Sequence, residues 1–337
     1  MKQHNIVSKI FFILSALFFI ITVVLMGAHT FSSDRYFNAI HDFHNPNSEF
    51  IENKNTNTSI LLISDTGSGN LVLRDALENA LKSKKYDFVM YLGDFAKNAS
   101  VTGFYWMLNE IKPVLNNTPF YTIPGNHDIT RRIGLTKKHF KDKSLYETIM
   151  GARYYWFGYG DTLFVTLDSS DETLDDKQLV WLDNTLKKIR PMFKNCIIFG
   201  HVPPANSGVD HIMTNDSAQK FEHILKKYKI NAMFFGHIHM YSHGNFANID
   251  FYTTPSSGQA IRDPKIHKFG YLDVNIGKNG TVKVEPKYID FVGNKHSPFT
   301  EWFVRDISSV KVRMIIVAGL LLSFTLSIIG LLFRKRR

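Results

Sequence analysis

The sequence predicts an α/β domain built on a mainly parallel sheet, with a second sheet packed against it and one membrane helix at each end. Three observations carry this. Between residues 59 and 235, short continuous apolar runs alternate with segments of helical period. Past His239 the pattern becomes all-β. Both ends carry a long apolar stretch without a charge.

The N-terminal stretch, Ile10 to Met26, reads IFFILSALFFIITVVLM, with Lys2 and Lys9 before it. Its apolar run is longer than a usual signal-peptide core, and Gly27-Ala28-His29 is a poor cleavage site, so an uncleaved anchor over 1–29 is expected. Residues 30–57 read as a tether and 58–306 as the α/β domain. Residues 307–337 hold the second apolar stretch, Met314 to Phe333, closed by RKRR. As a helix that stretch rises roughly 30 Å, the thickness of a hydrocarbon core. Cations stay cytoplasmic, so both termini are expected inside and the intervening domain on the far side of the bilayer.

Within the domain, Ser59–Ser64 (SILLIS) reads as a buried strand and Leu71–Leu81 as a helix. Strand Phe88–Leu92, helix Val101–Leu115 and strand Phe120–Ile123 follow. Thr162–Leu167 is a strand, and helix Asp175–Ile189 opens on two acidic residues suited to an N-terminus. Strands Cys196–Phe199 and Ala232–Phe235 flank the helix Ser217–Tyr228. The closing strands are Phe251–Thr254, Tyr271–Ile276 and Val282–Ile289.

The 337 residues are 44% apolar and 21% charged, which excludes a disordered chain. A single cysteine, Cys196, excludes a disulfide framework, and its place in a buried strand makes it inert. The net charge of +10 hints at nucleic acid, but eight of the 40 basic residues lie in the terminal segments. The middle then carries 32 basic against 30 acidic residues, so no nucleic-acid partner is expected.

Ligands of a parallel sheet sit at the carboxyl ends of its strands. Five strands here end in a loop bearing a potential metal ligand: Asp65, Gly93-Asp94, Pro124 to Asp128 (PGNHD), Gly200-His201, and Gly236 to His239 (GHIH). A lone Asp after a strand is ordinarily a cap or turn former. Five such loops at one topological edge are different, because carboxylate, amide and imidazole are the ligands that hold Mn, Fe or Zn.

In these motifs the chain resembles the calcineurin-like metallophosphoesterase superfamily over about residues 59 to 277, and GHIHMY and DTG resemble most its purple acid phosphatase branch. The resemblance implies a four-layer α/β/β/α sandwich of two mixed sheets. It also implies two divalent or trivalent metal ions and a phosphorylated substrate. Carried over residue by residue, Asp94 would bridge the metals, Asp65 and His239 would bind the first, and Asn126, His201 and His237 the second. His127 would act on the phosphate as general acid or transition-state contact, with Asp128 holding its ring. Two cations roughly 3.5–4 Å apart can clamp a phosphate and activate a bridging water for in-line attack.

The pattern breaks twice. Position 67 is Gly, where most branches have the first-motif histidine, and Lys97 stands where the purple branch has its tyrosine. A lysine donates only and cannot ligate a cation. Water or a side chain such as Asn98 could complete the first metal's shell, that metal could bind weakly, or Lys97 could meet the phosphate itself. His243 is a further candidate for substrate contact. The expected activity is membrane-anchored, metal-dependent phosphate-ester hydrolysis. The alternative is a catalytically impaired relative that binds a ligand or signals through its spans.

Overall fold

The computed structural model describes residues 2–37, 49–51, 57–67, 70–96, 99, 101–129, 144–204, 212–290 and 310–335. They fall into two compact units, Ile40–Val292, and Met1–Ala39 with Gly293–Arg337.

The larger unit contains two sheets. Its helices and strands in chain order are β1 (Glu49–Ile51), β2 (Thr58–Ile63), α2 (Asn70–Ser83), β3 (Phe88–Tyr91), α3 (Val101–Leu115), β4 (Phe120–Thr122), α4 (Leu145–Met150), β5 (Tyr155–Tyr159), β6 (Thr162–Thr166), α5 (Asp176–Lys188), β7 (Asn195–Phe199), α6 (Asn215–Leu225), β8 (Ala232–Phe235), β9 (Ser242–Phe246), β10 (Ile249–Thr253), β11 (Phe269–Ile276) and β12 (Val282–Ile289); α1 (Lys2–Phe37) and α7 (Val310–Lys335) form the other unit. One sheet has the order β12-β11-β2-β3-β4, the other β1-β5-β6-β7-β8-β10-β9. Both are mixed: β2, β3 and β4 run parallel, as do β6, β7, β8 and β10, while β11–β12, β5–β6 and β9–β10 pair antiparallel.

Strand periodicity separates the layers. On β2, Ile60 and Leu62 join Phe88, Phe164, Phe199 and Phe234 in a core formed by residues of both sheets. Leu61 and Ile63 instead join residues of α2, α3 and α4. On β7, Ile197 and Phe199 face the shared core, while Cys196 and Ile198 pack with residues of α5 and α6. Three cores separate four layers, so the expected sandwich is present. Burial pushes the Cys196 thiol up to about 12, far from a reactive thiolate.

Within the span 30–57, read as a tether, the described residues carry parts of two elements. α1 continues to Phe37, and Glu49–Ile51 forms the edge strand β1 beside β5. A three-residue strand is too short to leave a period in the sequence.

In the smaller unit, α1 and α7 pack through small polar groups. Ser15 Oγ donates to the Ser323 carbonyl at 2.8 Å and lies 2.7 Å from Ser327 Oγ. A Cβ at Gly319 would stand 2.4 Å from Thr22 Oγ1. Ser15, Thr22 and Ser323 are buried, whereas Ile13, Val24, Leu321 and Phe324 are exposed. Among the described residues one helix is long and apolar enough to cross a membrane, through Lys9–Gly27 with a mean hydropathy of 2.8. The apolar stretch of α7 is shorter, Ile315–Ile329, so a second span is not established on length.

Candidate metal centre

The loops after β2, β3, β4, β7 and β8 meet at one rim. They are held there by backbone bonds between them: Asp65 N–H donates to Gly93 O at 3.0 Å, and Thr66 and Gly67 N–H donate to Asp94 O at 3.0 and 2.9 Å. The turn at Gly93 has φ +93°, and a Cβ there would lie 2.6 Å from Gly125 N and 2.7 Å from His201 Nδ1, so only glycine fits. Asp65, Asp94, His237 and His239 all adopt left-handed backbone, with φ between +57° and +67°. Asp tolerates that region better than most residues, and His also does. Buried residues held there mark over-determined, functional loops.

Two groups of ligand atoms result, Asp65–Asp94–His239 and Asp94–His201–His237, each with its atoms within 4.8 Å of one another. Asp94 belongs to both. In the second group, Asn126 Oδ1 lies 3.1 Å from His201 Nε2 and 3.0 Å from His237 Nδ1, and Asp94 Oδ1 lies 3.4 Å from His201 Nε2. His201 Nδ1 donates to the Leu92 carbonyl at 2.7 Å, which in the neutral ring leaves a lone pair on Nε2. Three acceptors, His201 Nε2, Asn126 Oδ1 and Asp94 Oδ1, then face one another, an arrangement that a cation relieves. His239 repeats the device. Its Nδ1 donates to Ala260 O at 2.8 Å, and its Nε2 lies 3.4 Å from Asp65 Oδ1. Two carboxylates, an amide oxygen and three imidazoles fit a pair of borderline-hard metal ions.

The charges agree with this geometry. Burial raises the Asp65 carboxyl, but His239, His201 and the Ser64 hydroxyl outweigh it and hold it at about 2. Burial lowers the His239 imidazole, and Asp65 more than reverses this, so its pKa is raised.

A family model for calcineurin-like phosphoesterases matches residues 58–241, the span that carries all of these loops. The chain belongs to the calcineurin-like phosphoesterase family. It is therefore a metallophosphoesterase, an enzyme of the class that hydrolyses phosphate esters. Among named relatives, a Fibrobacter succinogenes protein called "Probable cyclic nucleotide phosphodiesterase" is 29% identical over 195 residues, 57% of this chain and 72% of that one. Purple acid phosphatase 23 of Arabidopsis thaliana is 26% identical over 207 residues, 59% of this chain and 42% of the relative. Among solved structures, a purple acid phosphatase from yellow lupin (Lupinus luteus) seeds superposes with TM-score 0.53 and 14% identity, over 69% of this chain and 51% of that one. This last likeness bears on the fold.

For this phosphoesterase, all six residues read as metal ligands lie in the cluster. His127 is at its edge, side chain 41% exposed, with Nε2 3.9 Å from Asp94 Oδ2. Its N–H donates to Asp94 Oδ1 at 2.9 Å. Asp128 has a role that the sequence did not signal. It is fully buried and accepts from the N–H groups of Asp94, Gly125, Phe95 and Ala96 at 2.7, 2.8, 2.9 and 3.4 Å. It thus fixes the backbone of the Asp94 loop. Lys97 and Asn98 lie outside the described residues. His243 stacks on Tyr252 at 4.6 Å and pairs with Asp250 at 3.4 Å, contacts of the β9–β10 hairpin.

Two contributors were missed. The Tyr91 hydroxyl accepts from Thr66 N–H at 3.1 Å and donates to Thr66 Oγ1, bracing the Asp65 loop from below. Gln259, in the loop after β10, reaches the carboxylate shared by the two groups, its Nε2 donating to Asp94 Oδ2 at 3.3 Å.

Proposed function

We propose that this phosphoesterase hydrolyses phosphate monoesters or diesters with two metal ions drawn from Mn, Fe and Zn, on a domain anchored in the membrane. The observation that carries the reading is Asp94, shared by two ligand groups that are otherwise distinct. When bound, such a pair supplies positive charge for the phosphate oxygens and an activated water. Asp65, Asp94 and His239 would hold one ion, and Asp94, Asn126, His201 and His237 the other.

The chain's own groups do the rest. His127 stands at the open edge, close enough to Asp94 to be oriented by it and exposed enough to reach a substrate. It would pass a proton to the departing alkoxide oxygen or hold a phosphate oxygen. Asp128 keeps the Asp94 loop from shifting under the developing charge. Among the residues the structure describes, no buried thiol suits nucleophilic attack, since the Cys196 thiol is held protonated.

Two spans are part of this proposal. A helix pair with buried Ser and Thr at its seam and exposed Ile, Leu and Phe on its outside is stable in lipid and not in water. With Lys2 and Lys9 at one end of the chain and RKRR at the other, both termini would be cytoplasmic and the catalytic domain extracytoplasmic.

The test uses the full chain in detergent, stripped of metal and reloaded with Mn, Fe or Zn singly, assayed on an aryl phosphate monoester and a diester. Turnover should return with metal, and Asp94→Asn should lose metal and turnover together. Full activity in Asp94→Asn would refute the bridging role.

A further inference from the structure

Among the described residues, the first metal group is one ligand poorer than the second. It has Asp65, Asp94 and His239, and position 67, two residues after Asp65, is a glycine. The space beside Gly67 is nevertheless filled. Gly67 has φ +58°, and a Cβ built there would stand 2.6 Å from Gln259 Cγ and 3.1 Å from its Cδ and Nε2. A side chain at 67 and the Gln259 side chain therefore exclude each other.

The Gln259 backbone is fastened to the same site. Its N–H donates to Asp65 O at 2.8 Å. Ser256 Oγ lies within bonding reach of both Asp65 O, at 3.1 Å, and Gln259 O, at 2.7 Å. The side chain then crosses Gly67 and ends on Asp94 Oδ2, while Asp94 Oδ1 serves His201 and the His127 N–H. The amide thus touches one carboxylate of the first group and hangs from the backbone of the other.

We propose that Gln259 is a ligand of the first metal ion, taking through its Oε1 the place that position 67 leaves open. This rests on the two-ion reading above. A carboxamide presents an N–H face and an oxygen face, interchanged by a half turn about its last torsion. Beside a bare carboxylate the N–H face turns to Asp94. Beside a cation the oxygen face does, and amide oxygen is a ligand suited to the same ions as carboxylate. Gln259 comes from beyond the end of the 58–241 match, reached only by the return of the chain through β10.

The experiment counts Mn on the full chain in detergent, by chelator competition and by the spin-coupled signal of an Mn pair, without any substrate. The wild type should take two equivalents. Gln259→Leu should keep one and bind the other at least about tenfold more weakly, the smaller end of what lost support around a metal costs. Gln259→Glu should bind both at least as tightly as the wild type, because a carboxylate is a stronger ligand for Mn. Unchanged binding in Gln259→Leu would overturn the proposal. Equal weakening in Gln259→Glu would overturn it too, since that is the mark of an N–H donor to Asp94 replaced by a repelling carboxylate. If Gln259→Leu does not fold, as judged by circular dichroism, Gln259→Glu decides alone. A wild type taking fewer than two equivalents would instead refute the two-ion reading.

Discussion

His239 Nε2 lies 3.4 Å from Asp65 Oδ1, and each holds the other in its charged form. In the metal-free protein the raised His239 contributes stability below about pH 6.5, lost as pH rises through its folded-state pKa. The depressed Asp65 contributes above about pH 4 and loses this only as pH falls through about 2. The pair therefore favours the stripped protein most between those limits. A metal ion needs neutral His239, so Mn uptake at pH 6 should release more protons than at pH 8.5 and be weaker. Calorimetry in two buffers of different ionisation enthalpy measures this, and equal release at both values would contradict it.

Asp128→Ala should destabilise the metal-free protein by about 3 kcal/mol or more, because it strips the acceptor from four backbone N–H groups around a fully buried site. Asp128→Asn keeps one acceptor oxygen and should lose less. Thermal melts of the two variants beside the wild type read the order directly.

Gly93→Ala should cost about 2 kcal/mol through its positive φ and the collision with Gly125 N. The same methyl meets His201 Nδ1 and turns that ring, so the variant's second metal group should weaken as well. Melting temperature and Mn stoichiometry follow the two effects separately.

Iron-loaded protein should lack the visible tyrosinate-to-iron band. Tyr91, the buried tyrosine beneath the Asp65 loop, gives its hydroxyl to Thr66, and burial pushes its phenol well up. An absorption spectrum of the iron form settles this, and a strong band in the purple region would contradict it.

Gly319→Leu should wedge α1 and α7 apart, since even a Cβ at 319 would stand 2.4 Å from Thr22 Oγ1. A disulfide between Ser15→Cys and Ser323→Cys, residues in bonding contact in the wild type, should form readily and fail once Gly319→Leu is added to the pair. Glycosylation or reporter fusions at 30–306 and at both ends test the topology independently.

Much of the fold was legible because buried parallel strands write themselves as unbroken apolar runs. SILLIS, CIIF and AMFF each mark a strand to within a residue or so. β9 was missed because SHGNF is polar and lies at a sheet edge, and β5 because YWFGY carries a glycine and no alternation. α4 did carry a signal, the capping box Ser144 to Glu147, which went unread in so short a helix. The six candidate ligands were visible because each lies a few residues past the end of one of five strands, with His237 and His239 sharing β8. Gln259 and Tyr91 were not, because their relation to the site runs through space. A Gln after TPSSG acquires its meaning only when β10 returns it across Gly67.

Four of the candidate ligands, Asp65, Asp94, His237 and His239, sit in left-handed backbone, and groups of neighbouring loops grip them. Each such residue costs of order 1 kcal/mol, borne by the folded sandwich. An arriving cation thus meets a cradle already bent to shape, with little rearrangement left to drive. Stripped enzyme should regain its ions on simple mixing, without refolding, and exchange one metal for another as the supply around it changes.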